Sequence, residues 1–247
     1  MSKCNIMYLV YLIFISLLHI LVITPSFARD IKFNAGSGFY INNNGVVLTN
    51  KHVVDQCDNK LLLFIDYKQN VHQSKILAVS KEYDLAAINT GVKNDYFGSI
   101  ATVDDTMYPV MINESGLELF SFGYPNGQKK QEWAAGSSIA TSKYNEYPFL
   151  GFAKLNATHG CSGSVIMDRS ALVLGIVTAR FGYDLYKKGD NLNDKQLIVF
   201  HNLNAIVDFA NKNNIEINHF PRKKYHDPGF VLGHASRISG QIFCWSN

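Results

Sequence analysis

The chain is 247 residues long, with 23 lysines and arginines against 20 aspartates and glutamates and a formal net charge of +3. So even a balance makes no electrostatic case for a nucleic-acid or membrane-surface partner. The length fits a single β-barrel or sandwich domain, and one domain is the default expectation.

Residues 1–28 stand apart from the fold. Lys3 gives a positive start, 6–23 is nearly all apolar, and Ser26-Phe27-Ala28 places small residues at minus three and minus one before Arg29. This reads as a secretory signal peptide cleaved after Ala28, leaving a secreted or periplasmic protein with no stable membrane association. The apolar run is long for a signal core, as in an uncleaved anchor, but the small-x-small site favours cleavage. Beyond it lie Cys57, Cys161 and Cys244, an odd number for an exported chain. One bridge plus a free thiol satisfies the sequence, and so does no bridge at all.

After Asn34 the chain reads Ala35-Gly36-Ser37-Gly38-Phe39-Tyr40-Ile41, then Asn42-Asn43-Asn44-Gly45, then Val46-Val47-Leu48-Thr49-Asn50. Two β-rich runs around an asparagine-glycine turn predict a hairpin. His52 follows directly, where a strand end fixes a side chain better than a mobile loop does. None of the other histidines, His19, His72, His159, His201, His219, His226 and His234, has so ordered a setting ahead of the serine described below. Further strands are expected at 61–66 and 74–79. Tyr83-Asp84-Leu85-Ala86-Ala87-Ile88 then leads an acid into an apolar strand, from which Asp84 can turn its carboxylate inward to a histidine Nδ1–H. Asp66, Asp95, Asp104 and Asp105 stand in more polar settings. The polar stretch 91–108 suits a boundary between two halves.

Thr158-His159-Gly160-Cys161-Ser162-Gly163-Ser164 runs straight into the apolar Val165-Ile166-Met167. A serine flanked by glycines on a tight loop presents its hydroxyl beside backbone donors. Gly160 can adopt angles closed to other residues, so its N–H and that of Ser162 can point at one oxyanion. Alone the pattern is weak, because glycine-rich turns produce it by chance; an upstream base and carboxylate, His52 and Asp84, give it weight. His159 is too near Ser162 along the loop to orient easily as its base. Residues 203–211 place Ile206, Phe209 and Ala210 at helical spacing, with Asn202 or Asn204 as cap. The basic stretch 221–226 reads as a solvated loop, and 229–247 carries no assignment.

Gly36-Ser37-Gly38-Phe39, Leu48-Thr49-Asn50-Lys51-His52-Val53-Val54, Asp84-Leu85-Ala86-Ala87-Ile88 and Gly160-Cys161-Ser162-Gly163-Ser164, in that order, resemble the trypsin-like serine proteases. The likeness is greatest to their bacterial exported branch, the HtrA (Deg) and V8-like group, and covers roughly 34–211. Phe122-Gly123-Tyr124-Pro125 and Gly175-Ile176-Val177-Thr178 also fit family strands. The resemblance implies an all-β fold of two antiparallel six-stranded β-barrels with a C-terminal helix. The protease domain would run over 29–219: first barrel about 30–100, second about 109–200, terminal helix about 203–212, and an extension at 220–247. Many short β-rich runs with turn punctuation agree with an all-β architecture.

The sequence departs from relatives of this kind in three places. Cys161 stands where animal digestive members carry an aspartate, so activation by an inserted N-terminus is not expected. Val177 replaces the histidine of glutamate-specific members, which argues against that specificity. Too few residues follow Asn211 for a PDZ module.

On this reading Ser162 attacks a peptide carbonyl while His52 takes its proton and Asp84 holds the imidazole, with the oxyanion at the Gly160 and Ser162 amides. An imidazole, titrating near pH 6.5 in model peptides, accepts and returns a proton near neutrality. The chemistry needs neither metal nor cofactor, and the partner is a polypeptide substrate. The resemblance puts Asn156, Ala157, Thr158, Thr178, Ala179 and Arg180 around the substrate. Arg180 either favours acidic side chains or ends a solvated strand, so the P1 preference stays open, as does the oligomeric state. The alternative function is a catalytically silent binding protein on the same scaffold. An esterase on an α/β sheet is a third reading, against which stands the order histidine, aspartate, serine, because such enzymes place the histidine last.

Overall fold

Phe39-Tyr40-Ile41 and Val46-Val47-Leu48 leave no polar face for water, so strands built from them must be covered on both sides. The computed structural model describes residues 32–55, 57, 61–102, 116–125, 131–139, 147–155, 161–180, 197–222 and 224–246. In it these runs form β1 (Lys32–Tyr40) and β2 (Val46–Thr49), antiparallel with Phe39 opposite Leu48. Asn42 Oδ1 accepts from the amides of Asn44 (3.0 Å) and Val46 (3.3 Å) in the connecting turn. Gly45 takes a φ of 83° there. Alternate residues then serve different cores. Phe39, Ile41, Val46 and Leu48 join a large cluster that also holds Phe120, Val165 and Phe200, whereas Tyr40 and Val47 face a smaller one with Val53, Leu62, Phe64 and Ile242.

The chain continues through α1 (Lys51–Val54), β3 (Leu62–Ile65), β4 (Val71–Gln73), β5 (Lys75–Val79), β6 (Ala86–Asn89) and β7 (Ser99–Thr102). Then come β8 (Glu118–Gly123), β9 (Glu132–Ser138), β10 (Leu150–Leu155), β11 (Val165–Met167), β12 (Val173–Arg180) and β13 (Leu197–Asn202). The last elements are α2 (Leu203–Lys212), β14 (Asn218–Pro221), α3 (Pro228–Ile238) and β15 (Ser239–Ser246).

One sheet has the order β4-β3-β15-β1-β2-β6-β5 and is antiparallel throughout. Its edge strands β4 and β5 are separated by Ser74 alone, whose amide donates to the Leu62 carbonyl at 2.8 Å. They therefore act as one bent strand that closes the sheet into a ring of six. In the other sheet β11-β8-β9-β10-β13-β12 closes where β12 pairs back to β11, giving a second antiparallel six-stranded barrel. β7 and β14 extend that sheet as parallel neighbours. The stretch 91–108, read from sequence as a polar connection, thus contains a buried strand; 103–108 lie outside the described residues.

The fold is all-β with a C-terminal helix, α2. Asn202 is its cap: the side chain accepts from the amides of Asn204 and Ala205, and Leu203, Ala205, Ile206, Phe209 and Ala210 form its buried face. The unassigned tail is ordered too. Asp227 caps α3, accepting from the Gly229 amide at 2.7 Å, and Val231, Ala235 and Ile238 are its buried face. Gly229 and Gly233 dilute the helical signal, which hid this helix in the sequence. β15 then inserts between β1 and β3 and completes the first barrel from the far end of the chain.

Cys57 and Cys244 form a disulfide with Cα atoms 5.3 Å apart, across a sequence separation of 187. It ties β15 to the segment just beyond α1. Closing so long a loop restricts the unfolded chain, so the Cys57→Ser/Cys244→Ser double variant should unfold in urea with a free energy lower by about 2–5 kcal/mol. Equal midpoints for the two proteins would contradict this.

Candidate active site

β2 ends at Thr49 and the chain turns directly into α1, the one-turn helix that carries His52. A single turn has little stability of its own, and side chains hold it. Val53 and Val54 are buried in the smaller core. The Thr49 hydroxyl donates to the Ser37 carbonyl (2.7 Å), and Asn50 Nδ2 to the Asp84 carbonyl (2.9 Å). From β1, Asn34 Nδ2 reaches the carbonyls of His52 and Asp55, each at 3.4 Å.

Asp84 lies in the bend before β6 and faces α1. The His52 amide donates to Oδ1 at 3.0 Å, and His52 Nδ1 lies 2.6 Å from Oδ2. Thr178 Oγ1 donates to the same Oδ2 at 2.8 Å. Burial works to raise the Asp84 pKa, but the hydrogen bonds from the His52 ring and amide, the His52 charge and the Thr178 hydroxyl outweigh it. The carboxyl is held below its ordinary value. A carboxylate at Nδ1 keeps the ring hydrogen on that nitrogen and leaves Nε2 as the acceptor.

Thr178 reaches Asp84 because of a β-bulge. Between β12 and β13, Val177 pairs with Phe200 and Ala179 with Val199, so Thr178 is the extra residue and its side chain is re-aimed. Its carbonyl meets the serine loop, accepting from Ser162 Oγ at 3.4 Å. One residue thereby touches both Asp84 and Ser162.

The turn that carries Ser162 is fastened to β1 and β12. Its carbonyl accepts from the Ser37 amide at 2.8 Å, the Gly163 amide donates to the Val177 carbonyl at 2.9 Å, and the Ser164 amide to the Cys161 carbonyl at 2.9 Å. Gly163 has a φ of 84°, and a Cβ there would collide with the Ser37 carbonyl oxygen. Only glycine fits so close an approach of two backbones.

Among the residues the sequence assigned to the site, His52 and Asp84 are in direct contact and Ser162 joins them through Thr178. Gly160, Asn156, Ala157, Thr158 and also His159 lie outside the described residues. Ala179 and Arg180 belong to β12, with side chains outside the described set. The Thr178 hydroxyl, expected near substrate, is engaged by Asp84. Among the described residues no group of three or more His, Cys, Asp or Glu converges as a metal site.

Sequence reasoning missed three partners of Asp84: Thr178 and Asn50, already described, and His201. The Asp84 amide donates to His201 Nε2 at 3.2 Å. His201 is 6% exposed, and burial pushes its pKa down to about 4, which leaves the ring neutral at neutral pH. A signal existed, since His201 is a polar residue closing the apolar run Leu197-Ile198-Val199-Phe200.

Residues 36–176, more than half of the chain, match the trypsin-like peptidase domain family. The chain is 28% identical over 148 residues to a protein named probable periplasmic serine endoprotease DegP-like from Brucella suis, covering 59% of this chain and 28% of that protein. The same figures hold for the Brucella abortus protein of that name. The chain thus spans less than a third of the length of these curated relatives. Among solved structures, the HtrA-type protease AlgW with a decapeptide superposes with a TM-score of 0.56 at 18% identity, over 72% of this chain and 51% of that one. Rv3671c from M. tuberculosis, in an inactive form, gives a TM-score of 0.56 at 17% identity, over 74% and 85%. At these identities the structural likeness speaks for the fold.

Because the folded pKa of Asp84 lies below its unfolded value of about 3.9, ionisation contributes stability that is complete above that value. The contribution is lost as pH falls through the folded pKa. Urea midpoints of the wild type and Asp84→Asn should differ at pH 7 and converge below about pH 3.9. A gap that stays constant across that range would show that the fold does not favour the carboxylate.

Proposed function

The chain belongs to the trypsin-like peptidase family, and from that premise we propose that it is an exported serine endopeptidase with Ser162 as nucleophile, His52 as general base and Asp84 as the orienting carboxylate. The observation that carries this reading is the 2.6 Å contact between His52 Nδ1 and Asp84 Oδ2, with Thr178 linking the same carboxylate to Ser162.

In this reaction Ser162 Oγ attacks the scissile carbonyl carbon as its proton passes to His52 Nε2. The imidazolium that forms is stabilised by Asp84, already an acceptor at Nδ1. Negative charge gathers on the former carbonyl oxygen, and the amides of Gly160 and Ser162 receive it; removing one such donor in other enzymes costs about 2.7–4 kcal/mol. His52 then protonates the departing amine. Water, activated by the same base, clears the acyl group from Ser162. No cofactor is required at any step.

Substrate main chain adds to the edge of β12. The register of β11 with β12 ends at Val165 opposite Ile176, while β13 continues on the other side to Ile198 opposite Arg180. That supports antiparallel docking of a peptide along 178–180, through hydrogen bonds indifferent to side chains. Export follows from the signal peptide at 1–28 and agrees with the periplasmic name of the Brucella relatives. Among the described residues no helix is long and apolar enough to cross a membrane.

Protein beginning at Arg29 should react with a serine-directed phosphonate at Ser162 and cleave casein. Ser162→Ala should lose the adduct and at least about 10⁴-fold in kcat/KM. Undiminished casein cleavage by a folded Ser162→Ala variant would end the proposal. Cleavage profiling on a peptide library, run beside the same variant, reads the P1 preference.

A further inference from the structure

Asp84 is gripped at every polar group it has. Its carboxylate takes the His52 ring, the His52 amide and the Thr178 hydroxyl. Its carbonyl accepts from Asn50, and its amide donates to His201. The direction of a short side chain is set by its own backbone angles, so the groups that pin the two ends of the residue decide where the carboxylate points. Asn50 belongs to the first barrel; His201 reaches across from β13 of the second.

We propose that His201 is a positioning residue, which fixes the Asp84 main chain so that the carboxylate meets His52 Nδ1 in the geometry the reaction needs. This rests on the endopeptidase reading above. The Asp84 amide sits in a bend ahead of β6, outside the strand ladder. An imidazole nitrogen accepts an N–H only when it carries no hydrogen itself, so the His201 hydrogen lies on Nδ1. Ile176 of β12 and Leu150 of β10 stand opposite His201 in register, and the Tyr83 ring lies 6.1 Å from the His201 ring, centroid to centroid.

The loop leading to Asp84 is secured from the same side. Tyr83 packs on Phe149 at 4.9 Å and its hydroxyl donates to Asp208 Oδ2 of α2 at 2.8 Å. Lys212, one turn later on α2, pairs with both Asp208 (2.9 Å) and Glu82 (2.7 Å). Those contacts tie the loop to α2 and to Phe149 ahead of β10, but they act on Glu82 and Tyr83. Among the described residues, His201 alone extends the hold of this face to the main chain of Asp84.

The test is a pair of variants of similar shape. His201→Gln offers a carbonyl oxygen near the place of Nε2; His201→Met fills the volume without an oxygen or nitrogen acceptor. With folding checked by circular dichroism, His201→Met should lose about 10- to 100-fold in kcat with KM changed less than about twofold, and His201→Gln should recover most of that loss. A role confined to packing would leave kcat intact, or would lower activity equally in both variants, and either result overturns the proposal. Should His201→Met fail to fold, ¹⁵N NMR of the wild type decides: an unprotonated Nε2 at His201 supports the proposal and a protonated one refutes it. The two readings fail separately. Activity that survives Ser162→Ala removes the endopeptidase reading itself, whereas activity lost in Ser162→Ala but unchanged in His201→Met removes only the positioning role.

Discussion

One main-chain hydrogen bond, from the Ser37 amide to the Ser162 carbonyl at 2.8 Å, is the seam on which the site depends. His52 stands at the end of a hairpin in the first barrel and Ser162 on a turn of the second, and nothing local in the chain brings them together. β1 does so. Ser37 is fully buried, and a buried polar group must be paired. Its amide takes Ser162, its carbonyl takes the Thr49 hydroxyl beside His52, and its own hydroxyl accepts from the Tyr124 amide at 2.7 Å. Thr49, Ser162 and Tyr124, which follows the end of β8, are thus held by the one residue Ser37, and the absent Cβ of Gly163 lets the two backbones approach.

Asp84 adds an electrostatic tie to this steric one. It accepts from His52 in its own barrel and from Thr178 in the other, and it stays ionised despite partial burial because those donors exceed the desolvation cost. A rotation of one barrel against the other would break the Thr178 and His201 contacts and leave the Asp84 amide and carboxylate short of partners, which is costly in a low-dielectric setting. The tail stiffens the same region from behind. β15 lies on the edge of β1 opposite β2, and the disulfide at Cys244 anchors the segment that follows α1.

Local patterns were readable in the sequence. The β-rich runs Phe39-Tyr40-Ile41 and Val46-Val47-Leu48 around Asn44-Gly45 encode the hairpin, because strand propensity and turn chemistry act over a few residues. The nearness of His52 and Asp84 was readable for a related reason: each adjoins a strand of the hairpin sheet, β2 or β6, and those two are neighbours with Thr49 opposite Ala86. Long-range choices were hidden. β15 could have paired with any open edge, and which of three cysteines would bridge depended on that choice. The bulge at Thr178 and the reach of His201 to Asp84 are products of register between strands far apart in the chain, and no residue pattern near Asp84 announces them.

The most direct measurement is a crystal structure of the mature chain after reaction with an organophosphonate. Convergence of the three side chains predicts phosphorus bonded to Ser162 Oγ, with His52 Nε2 within about 2.6–3.2 Å of an adduct oxygen and Nδ1 still on Asp84. Phosphorus on any other residue, or an imidazole turned away from the adduct, would contradict it.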